Sequence, residues 1–347
     1  MERRAHRVEN QLDTVIAVGD VRFGSDPFPV IAGPCSIESE EQIHLLAKEA
    51  EAAGARVLRG NTLAVMGSPY GFKGLGMAGV RMLAEAGAAV GLPTLTQISE
   101  AGQIDEVAAL IDMIEIGSGN MQNFELLRAA GASLHPVMLK RGPSATFDEW
   151  LWAAEYILAE GNENVVMCER GIRAFEKADT LDIAAVPKMQ ELSHLPVVVF
   201  PSHAVTEPSA VGPLALAAQG AGANGVVIEI HENPAEASVN REGQIPVGDF
   251  GAIMDRLGIG RMRGAVDLLD QDIVRMLARR RALTAKIGEV KADRGMPVYV
   301  PTREGELLGV IREEADLLGL DKEYVSGLFN AILEDSRAAQ RRAREEL

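Results

Sequence analysis

Eight short apolar runs, all before residue 235, constrain the fold of this 347-residue chain more than any other feature. The runs are rich in β-branched residues, they begin roughly 20–35 residues apart, and Ala/Leu/Glu-rich helical pattern separates each from the next. Alternating strand–helix units at this spacing predict an α/β fold, a parallel (β/α)8 TIM barrel, with a doubly wound open sheet as the alternative. The eight runs are VIAGPCS, RVLRG, PTLTQI, MIEIGS, PVMLKRG, VVMCERG, PVVVFPSH and GVVIEIH.

The segments on either side of these runs have different patterns. TVIAVGDVRFG, before the first run, predicts a small hairpin that closes the barrel floor. Residues 262–293 form one long helical pattern, and Pro297 and Pro301 interrupt it. Two more helices are expected, at about 302–317 and 321–343, and Asp321 is the expected N-cap of the last.

The chain therefore divides into a barrel domain at 1–258 and a small three-helix, all-α domain at 262–347. A three-helix unit of this size cannot bury the apolar face of its long first helix, so we expect a homodimer or a larger homo-oligomer. That face comprises Met262, Val266, Leu269, Ile273, Met276, Leu277, Leu283, Ile287 and Val290.

Charge and cysteine content narrow the class of protein. The net charge of −16 argues against nucleic acid as a partner. No apolar run reaches the length of a membrane span, and the N-terminus MERRAHRVENQLD lacks the apolar core of a signal peptide. Only Cys35 and Cys168 occur, which argues against a disulfide framework. We expect a cytoplasmic protein.

Three residues that can bind metal end three of the apolar runs: Cys35, His203 and Glu229. Active sites of TIM barrels form where the strands end, and a thiolate, an imidazole and a carboxylate suit a divalent metal such as Mn, Zn, Fe or Co. Each residue alone has a plainer interpretation, since free cysteines are usually core and strand-end histidines are usually hydrogen-bonded. A fourth acid is expected nearby, and the sequence has Asn240 instead.

Three cations end three further runs: Arg59, Lys140 and Arg170. Cations that converge on one barrel mouth suit a small phosphorylated or carboxylated ligand. The alternative is that each of them pairs with an acid on the rim.

The motifs IAGPCSIES, GSPYGFKG, GNMQNFELL, LKRG, CERGIRAFE, PSHA and IEIH resemble the type I synthases of 3-deoxy-D-arabino-heptulosonate 7-phosphate (DAHP) over about residues 14–258. Members of that family are TIM barrels that condense phosphoenolpyruvate with erythrose 4-phosphate, the first step of the shikimate pathway. The resemblance implies Cys35, His203 and Glu229 as metal ligands, with Asn240 at the position of the family's Asp. It also implies phosphoenolpyruvate contacts at Arg59, Lys140 and Arg170.

Three segments depart from the family pattern. Residues 64–67, AVMG, replace Lys-Pro-Arg-Thr, in which the Lys serves both substrates and the rest holds the erythrose 4-phosphate. Gly119 replaces a phosphate-binding Arg, and Phe200 replaces the Asp before Pro-Ser-His. Each lost contact to a phosphate or carboxylate costs on the order of 2–5 kcal/mol. The sequence therefore predicts a barrel that is inactive or has changed its substrate.

Polar residues also share faces on the C-terminal helices. Arg280 and Lys291 lie three helical turns apart, and Ser336 and Gln340 lie one turn apart. Surface charge is the ordinary interpretation of such residues. However, LLDQDIVRMLARRRALTAKIGEVK, VPTREGELL and ILEDSRAAQ resemble the all-helical chorismate mutases over about residues 261–343. This resemblance implies a site of Arg263, Arg280, Lys291, Arg303, Glu304, Ser336 and Gln340, with Val300 in place of an Asp.

Chorismate is a dicarboxylate, and its rearrangement requires a compressed conformer and cations beside the ether oxygen, with no further cofactor. The resemblance implies Lys291 and Gln340 at that oxygen, and Arg263 and Arg280 at the carboxylates. It also implies that Arg263 enters the site from a partner protomer, so activity requires a dimer.

The sequence therefore predicts a chorismate mutase fused to a divergent, inactive or repurposed barrel. A bifunctional synthase and mutase under feedback regulation is one alternative. A non-catalytic barrel that acts as a regulatory scaffold is the other. The expected ligands are chorismate and phosphoenolpyruvate or another phosphorylated or carboxylated molecule.

Overall fold

The computed structural model describes residues 3–9, 11–63, 70–174 and 179–345, with backbone only at 259–265, 267–268 and 343–345. The chain divides into two compact units, Met1–Ala265 and Val266–Leu347. No helix within the described ranges is both long enough and apolar enough to cross a membrane.

The first unit is built on thirteen short strands within the described ranges, of which eight form a closed parallel sheet. In chain order the strands are β1 Ile16–Val18, β2 Val21–Phe23, β3 Val30–Gly33, β4 Val57–Arg59, β5 Thr94–Ile98, β6 Met113–Ile116, β7 Val137–Lys140, β8 Val165–Glu169, β9 Ile172–Arg173, β10 Asp179–Thr180, β11 Val197–Val199, β12 Val226–His231 and β13 Ile245–Pro246.

The eight sheet strands are the eight apolar runs of the sequence, and they close into a barrel. Each pairs in parallel with the next from β3 to β8, β8 pairs with β11, and β11 pairs with β12. Pairing of β12 with β3 completes the ring. The predicted (β/α)8 barrel is confirmed, and the open-sheet alternative is wrong. The apolar runs do not alternate with polar residues because both faces of each strand are buried.

The antiparallel hairpin β1–β2 fills the N-terminal end of the barrel. Its side chains Ile16, Val18, Val21 and Phe23 share one buried cluster with inward-facing strand residues such as Val227. Gly19, in the turn, lies against Pro93, which directly precedes β5. This agrees with the predicted closure of the barrel floor.

Helices cover the outside of the barrel between its strands. Their inner faces pack on the strands to form the larger hydrophobic core, and Trp150 is the largest fully buried side chain there. Over the part of this unit that the structure describes, seven helices begin and end: α1 Glu40–Ala52, α2 Gly76–Val90, α3 Ile104–Ala108, α4 Phe124–Ala132, α5 Phe147–Ala159, α6 Ala185–Leu192 and α7 Val211–Gly220.

Three long helices complete the chain: α8 Val247–Asp293, α9 Pro301–Leu317 and α10 Lys322–Glu345. The three predicted helices are present, but α8 begins fifteen residues before the expected residue 262, because helical pattern continues through GAIMDRLGIG. Asp321 caps α10, since its Oδ1 accepts a hydrogen bond of 2.6 Å from the backbone N of Tyr324. Pro301 begins α9. Proline is well tolerated at this position because the first N–H groups of a helix have no intrahelical acceptor.

The apolar face of α8 is uncovered within the single chain. Val266, Leu269, Met276 and Leu283 are each between 56 and 63 % exposed. These side chains form an exposed apolar stripe, and its burial by association stays a prediction.

Candidate active sites

Strand ends bring Cys35, His203 and Glu229 together at the C-terminal mouth of the barrel. Cys35 follows β3, His203 ends a short 3₁₀ turn after β11, and Glu229 is the fourth residue of β12. Their ligand atoms all lie within 4.8 Å of one another, and no other such cluster occurs within the described residues. A thiol, an imidazole and a carboxylate at this separation fit a divalent transition metal, and their chemistry suits Mn, Fe, Co or Zn.

Asn240 lies beside this cluster but acts as a hydrogen-bond donor. Its Nδ2 lies 2.5 Å from Glu229 Oε2 and 3.2 Å from the backbone oxygen of Ser202. The backbone of Asn240 is left-handed, with φ of 47°, which asparagine tolerates better than most residues. The amide therefore orients the Glu229 carboxylate and adds no negative charge.

Burial sets the protonation of the three groups. Burial raises the pKa of the Cys35 thiol well above its usual value, and the nearby Glu229 carboxylate adds to that shift. Burial also lowers the pKa of His203 to about 4, although Glu229 opposes the change. Burial alone would raise the pKa of Glu229, but His203 and Arg59 outweigh it and lower this pKa. The cluster thus holds a neutral thiol, a neutral imidazole and a carboxylate, and metal binding must release the thiol proton.

Arg59, at the end of β4, is fully buried and contacts two carboxylates. Its Nη1 donates a short hydrogen bond to Glu229 Oε1, and its Nη2 lies 3.5 Å from Glu115 Oε1. Nε and Nη2 have no hydrogen-bond partner among the described residues. These two donors are therefore available to an anionic ligand.

Lys140, at the end of β7, lies between Glu115 and Gln97. Its Nζ is 2.5 Å from Glu115 Oε1 and donates to Gln97 Oε1 at 3.2 Å. Burial would raise the pKa of Glu115, but Lys140 and Arg59 outweigh it and lower this pKa, so the carboxylate is ionised. The plainer interpretation of the rim cations, that each pairs with an acid, describes both Lys140 and Arg59.

Arg170, just after β8, is also paired. Its Nη1 lies 2.5 Å from Asp179 Oδ2, and its Nη2 donates to the backbone oxygen of His203 at 2.9 Å. Its Nε has no partner among the described residues. Arg170 therefore ties β8 to the turn that carries His203 and keeps one donor for a ligand.

Phe200, the last residue before the 3₁₀ turn, lies among the charged groups. Its ring stacks on His203 with centroids 4.0 Å apart and planes at 16°. Arg59 and Lys140 lie 5.0 and 5.2 Å from the ring centroid. The ring holds the imidazole and attracts both cations through its π face.

A cavity of about 360 Å³, here called the loop cavity, lies among the loops after β6 and β7. Gly119 is in its wall, and a Cβ added there would meet no atom within 4 Å. Among the described lining residues only Glu149 is ionisable, and it is an acid. The cavity is lined by Ser118, Gly119, Met121, Gln122, Gly142, Pro143, Ser144, Ala145 and Glu149. The departures at residues 64–67 lie outside the described residues.

In the helical unit, Arg280 of α8 meets Ser336 of α10, and Gln340 lies one helical turn beyond Ser336. Arg280 Nη1 donates a short hydrogen bond to Ser336 Oγ, and Ser336 donates in turn to the backbone oxygen of Ile332 at 2.7 Å. Gly288 permits the close approach of α8 to α10 at Gln340, since an added Cβ would lie 2.8 Å from the Cα of Gln340. Gln340 is buried, and its Oε1 has no partner among the described residues.

The other residues of the implied mutase site are less closely gathered. Lys291 Nζ donates to the backbone oxygen of Val298 at 3.0 Å, and Glu304 accepts 2.7 Å from Arg337. Arg303 is exposed and pairs with Glu306 on its own helix at 3.2 Å. The side chain of Arg263 lies outside the described residues.

The structure adds residues that the sequence did not single out. Glu115 and Gln97 hold Lys140, and Arg337 holds Glu304. A signal for Glu115 exists, because a charged residue within the apolar strand MIEI needs a buried partner. Arg337 gives no comparable signal, since arginines are common on exposed helices.

Comparison with known proteins matches the barrel part and the helical part of the chain to two different families. A family model described as DAHP synthetase I family matches residues 7–257, and one described as chorismate mutase type II matches residues 262–341. A phospho-2-dehydro-3-deoxyheptonate aldolase of Thermotoga maritima is 45% identical over 227 residues, 65% of this chain and 67% of the relative. A 2-dehydro-3-deoxyphosphooctonate aldolase of Nitrobacter hamburgensis is 31% identical over 262 residues, 70% of this chain and 91% of the relative.

Solved structures agree with this relationship. The crystal structure of the DAHP synthase of Thermotoga maritima has a TM-score of 0.70 and 40% identity, and covers 73% of this chain and 75% of its own. A truncated form of 3-deoxy-D-arabino-heptulosonate 7-phosphate synthase from the same organism has a TM-score of 0.70 and 38% identity, and covers 75% of this chain and 97% of its own.

Proposed function

Since the chain belongs to the DAHP synthetase I family and continues into a chorismate mutase type II domain, we propose that it is a bifunctional enzyme of the shikimate pathway. Its barrel condenses phosphoenolpyruvate with an aldehyde, as DAHP synthases do, and its helical unit converts chorismate to prephenate. The observation that carries the barrel assignment is the convergence of Cys35, His203 and Glu229 with the buried cations Arg59 and Lys140.

The proposal reverses the sequence-based prediction of an inactive barrel, which the comparisons do not support. A DAHP synthase is 45% identical over 227 residues, and the chain retains six rim residues that can bind metal or anions. The bifunctional alternative accounts for that retention more simply.

In the barrel, Arg59 and Lys140 hold the anionic oxygens of phosphoenolpyruvate, and Arg170 adds its free Nε. Cys35, His203 and Glu229 are the residues that would hold a divalent metal. When bound, such a metal supplies Lewis-acid polarisation of the aldehyde oxygen. Burial of these groups excludes water and strengthens every charge interaction within the mouth.

In the helical unit, Arg280 binds a carboxylate of chorismate, and Ser336 orients the guanidinium through their hydrogen bond. Lys291 and Gln340 face the ether oxygen, where negative charge grows during the rearrangement. Gln340 suits that role because its buried amide lacks a partner for Oε1 within the described residues. Arg263 completes the site from the partner protomer.

A homodimer through α8 follows from this proposal. The exposed apolar stripe of α8 supports it, because a monomer would leave those side chains in water. Leu283→Glu places a charge in the stripe, so we expect a monomer in sedimentation experiments together with loss of mutase turnover. A monomer that retains full turnover would contradict the shared site.

Two assays of the purified full-length protein test the proposal. One follows phosphoenolpyruvate consumption with erythrose 4-phosphate, with and without Mn²⁺, and the other follows chorismate. We expect turnover in both, and Arg280→Ala should abolish only the second. Absence of condensation at any metal concentration would remove the synthase assignment and leave the mutase assignment intact.

A second candidate for the barrel is condensation with a different acceptor. The loop cavity favours it, because Gly119 stands where the family has a phosphate-binding Arg and no cation lines the described wall. Turnover with uncharged aldehydes, measured beside turnover with erythrose 4-phosphate, would separate the two candidates. Only the second candidate predicts that an acceptor without a phosphate reacts faster than erythrose 4-phosphate.

A further inference from the structure

The buried carboxylate of Glu115 has no role in the proposed reaction. Glu115 is the third residue of β6, its side chain is fully buried, and it points into the mouth of the barrel. Its Oε1 lies 2.5 Å from Lys140 Nζ and 3.5 Å from Arg59 Nη2. It therefore contacts the two cations proposed to hold phosphoenolpyruvate.

These contacts pair the two cations of the inner mouth with two carboxylates. Arg59 and Lys140 contribute two positive charges, and Glu115 and Glu229 contribute two negative charges, all at 3 % side-chain exposure or less. Arg170 and Asp179 add one further balanced pair.

An anionic ligand must therefore compete with a carboxylate that is already in place. To bind Lys140, a phosphate or carboxylate oxygen must take the position of Glu115 Oε1 or share the ammonium with it. Sharing brings two negative groups together in a site that water does not screen, and the repulsion grows with the charge of the ligand.

We propose that Glu115 is a specificity-determining residue, which weakens binding of highly charged anions at Arg59 and Lys140 and so reduces the advantage of a phosphate ester over a simple carboxylate. This inference rests on the proposed function, because it concerns the same anion site. Glu115 acts as an internal counter-ion, and its charge, more than its shape, sets the affinity of the mouth.

The test is calorimetry on the chelator-treated full-length protein, titrated separately with phosphoenolpyruvate and with pyruvate. Pyruvate has the carboxylate but lacks the phosphate, so the ratio of the two affinities reports the response to added charge. In the parent we expect phosphoenolpyruvate to bind no more than about tenfold more tightly than pyruvate. A larger ratio would overturn the proposal without any substitution.

Three variants separate charge from shape. Glu115→Gln removes the charge, and we expect phosphoenolpyruvate to bind at least about tenfold more tightly than to the parent. Glu115→Asp keeps the charge and should stay within about threefold of the parent. Glu106→Gln, an exposed acid 3.7 Å from Arg81, makes the same change in net charge far from the mouth and should have no effect.

Unchanged or weaker binding by Glu115→Gln, or equally tight binding by Glu115→Asp, would overturn the proposal. Circular dichroism checks that each variant is folded. If Glu115→Gln does not fold, the ratio of the two affinities in the parent protein tests the proposal. The condensation assay is scored separately. If Glu115→Gln binds phosphoenolpyruvate more tightly but the parent does not catalyse condensation, only the synthase assignment is wrong. If the parent catalyses condensation but Glu115→Gln binds no more tightly, only the role of Glu115 is wrong.

Discussion

The two units of this chain build their candidate sites in opposite ways. In the barrel, Arg59 is fully buried and pairs with the buried carboxylates Glu115 and Glu229, so these charges are matched within one chain. In the helical unit, Arg303 and the apolar stripe of α8 are exposed within one chain. A closed sheet positions charged groups through its own core, whereas under our proposal three thin helices rely on a second copy to do so.

The largest difference is expected from breaking a buried ion pair. Glu229→Ala leaves the Arg59 guanidinium buried with one carboxylate fewer, so the free energy of unfolding should fall by about 3–5 kcal/mol. Urea denaturation measures this loss. The matched control is Glu163→Ala, which breaks an exposed pair with Arg4 and should cost less than about 1 kcal/mol. Equal losses would show that the barrel core does not depend on its charges.

The next largest effect concerns catalysis in the helical unit. Lys291→Ala removes the cation proposed at the ether oxygen, so kcat/KM for chorismate should fall by the equivalent of about 3–4 kcal/mol. Lys286→Ala, on the same helix and exposed, is the control and should retain parental kinetics. Condensation by the barrel should be unchanged in both variants, and parental mutase turnover in Lys291→Ala would refute the assigned role.

A smaller effect tests the packing of the helical unit. Gly288→Ala places a Cβ 2.8 Å from the backbone of Gln340, so the unit should lose about 1–3 kcal/mol of stability and some mutase activity. Gly305→Ala, where nothing lies within 4 Å of the added Cβ, should gain up to about 1 kcal/mol because alanine favours helix. Thermal unfolding of both variants checks the signs, and a stabilised Gly288→Ala would mean that α8 and α10 can separate freely.

The smallest effect compares one interaction in both units. Asp321→Ala removes the cap of α10, and Thr146→Ala removes the capping box with which α5 begins. Each should cost about 1 kcal/mol. Differential scanning calorimetry should show the larger fall in melting temperature for Asp321→Ala, because a smaller unit has a smaller entropy of unfolding. Equal falls would indicate that both units unfold together.

Sequence patterns predicted the barrel and singled out residues that the structure brings together at its rim, for a physical reason. Parallel strands point the same way, so residues that end different strands, such as Cys35 and Lys140, meet at one mouth. The partners of these residues were harder to predict, since Glu115 comes from within a strand and its distance from Lys140 depends on the curvature of the sheet. The start of α8 was missed because the helical pattern runs past the predicted boundary without a break.

The hairpin at the barrel floor has a consequence for synthesis. Val21 and Phe23 leave the ribosome well before Val227, in the last strand of the ring, yet all three share one buried cluster. At about 5–20 residues per second, the apolar side chains of the hairpin wait on the order of ten seconds or more for the strand that completes their binding site. Contacts between such distant parts of a chain also form slowly. During that interval the hairpin is an unburied apolar segment, so we expect a nascent-chain chaperone to bind there.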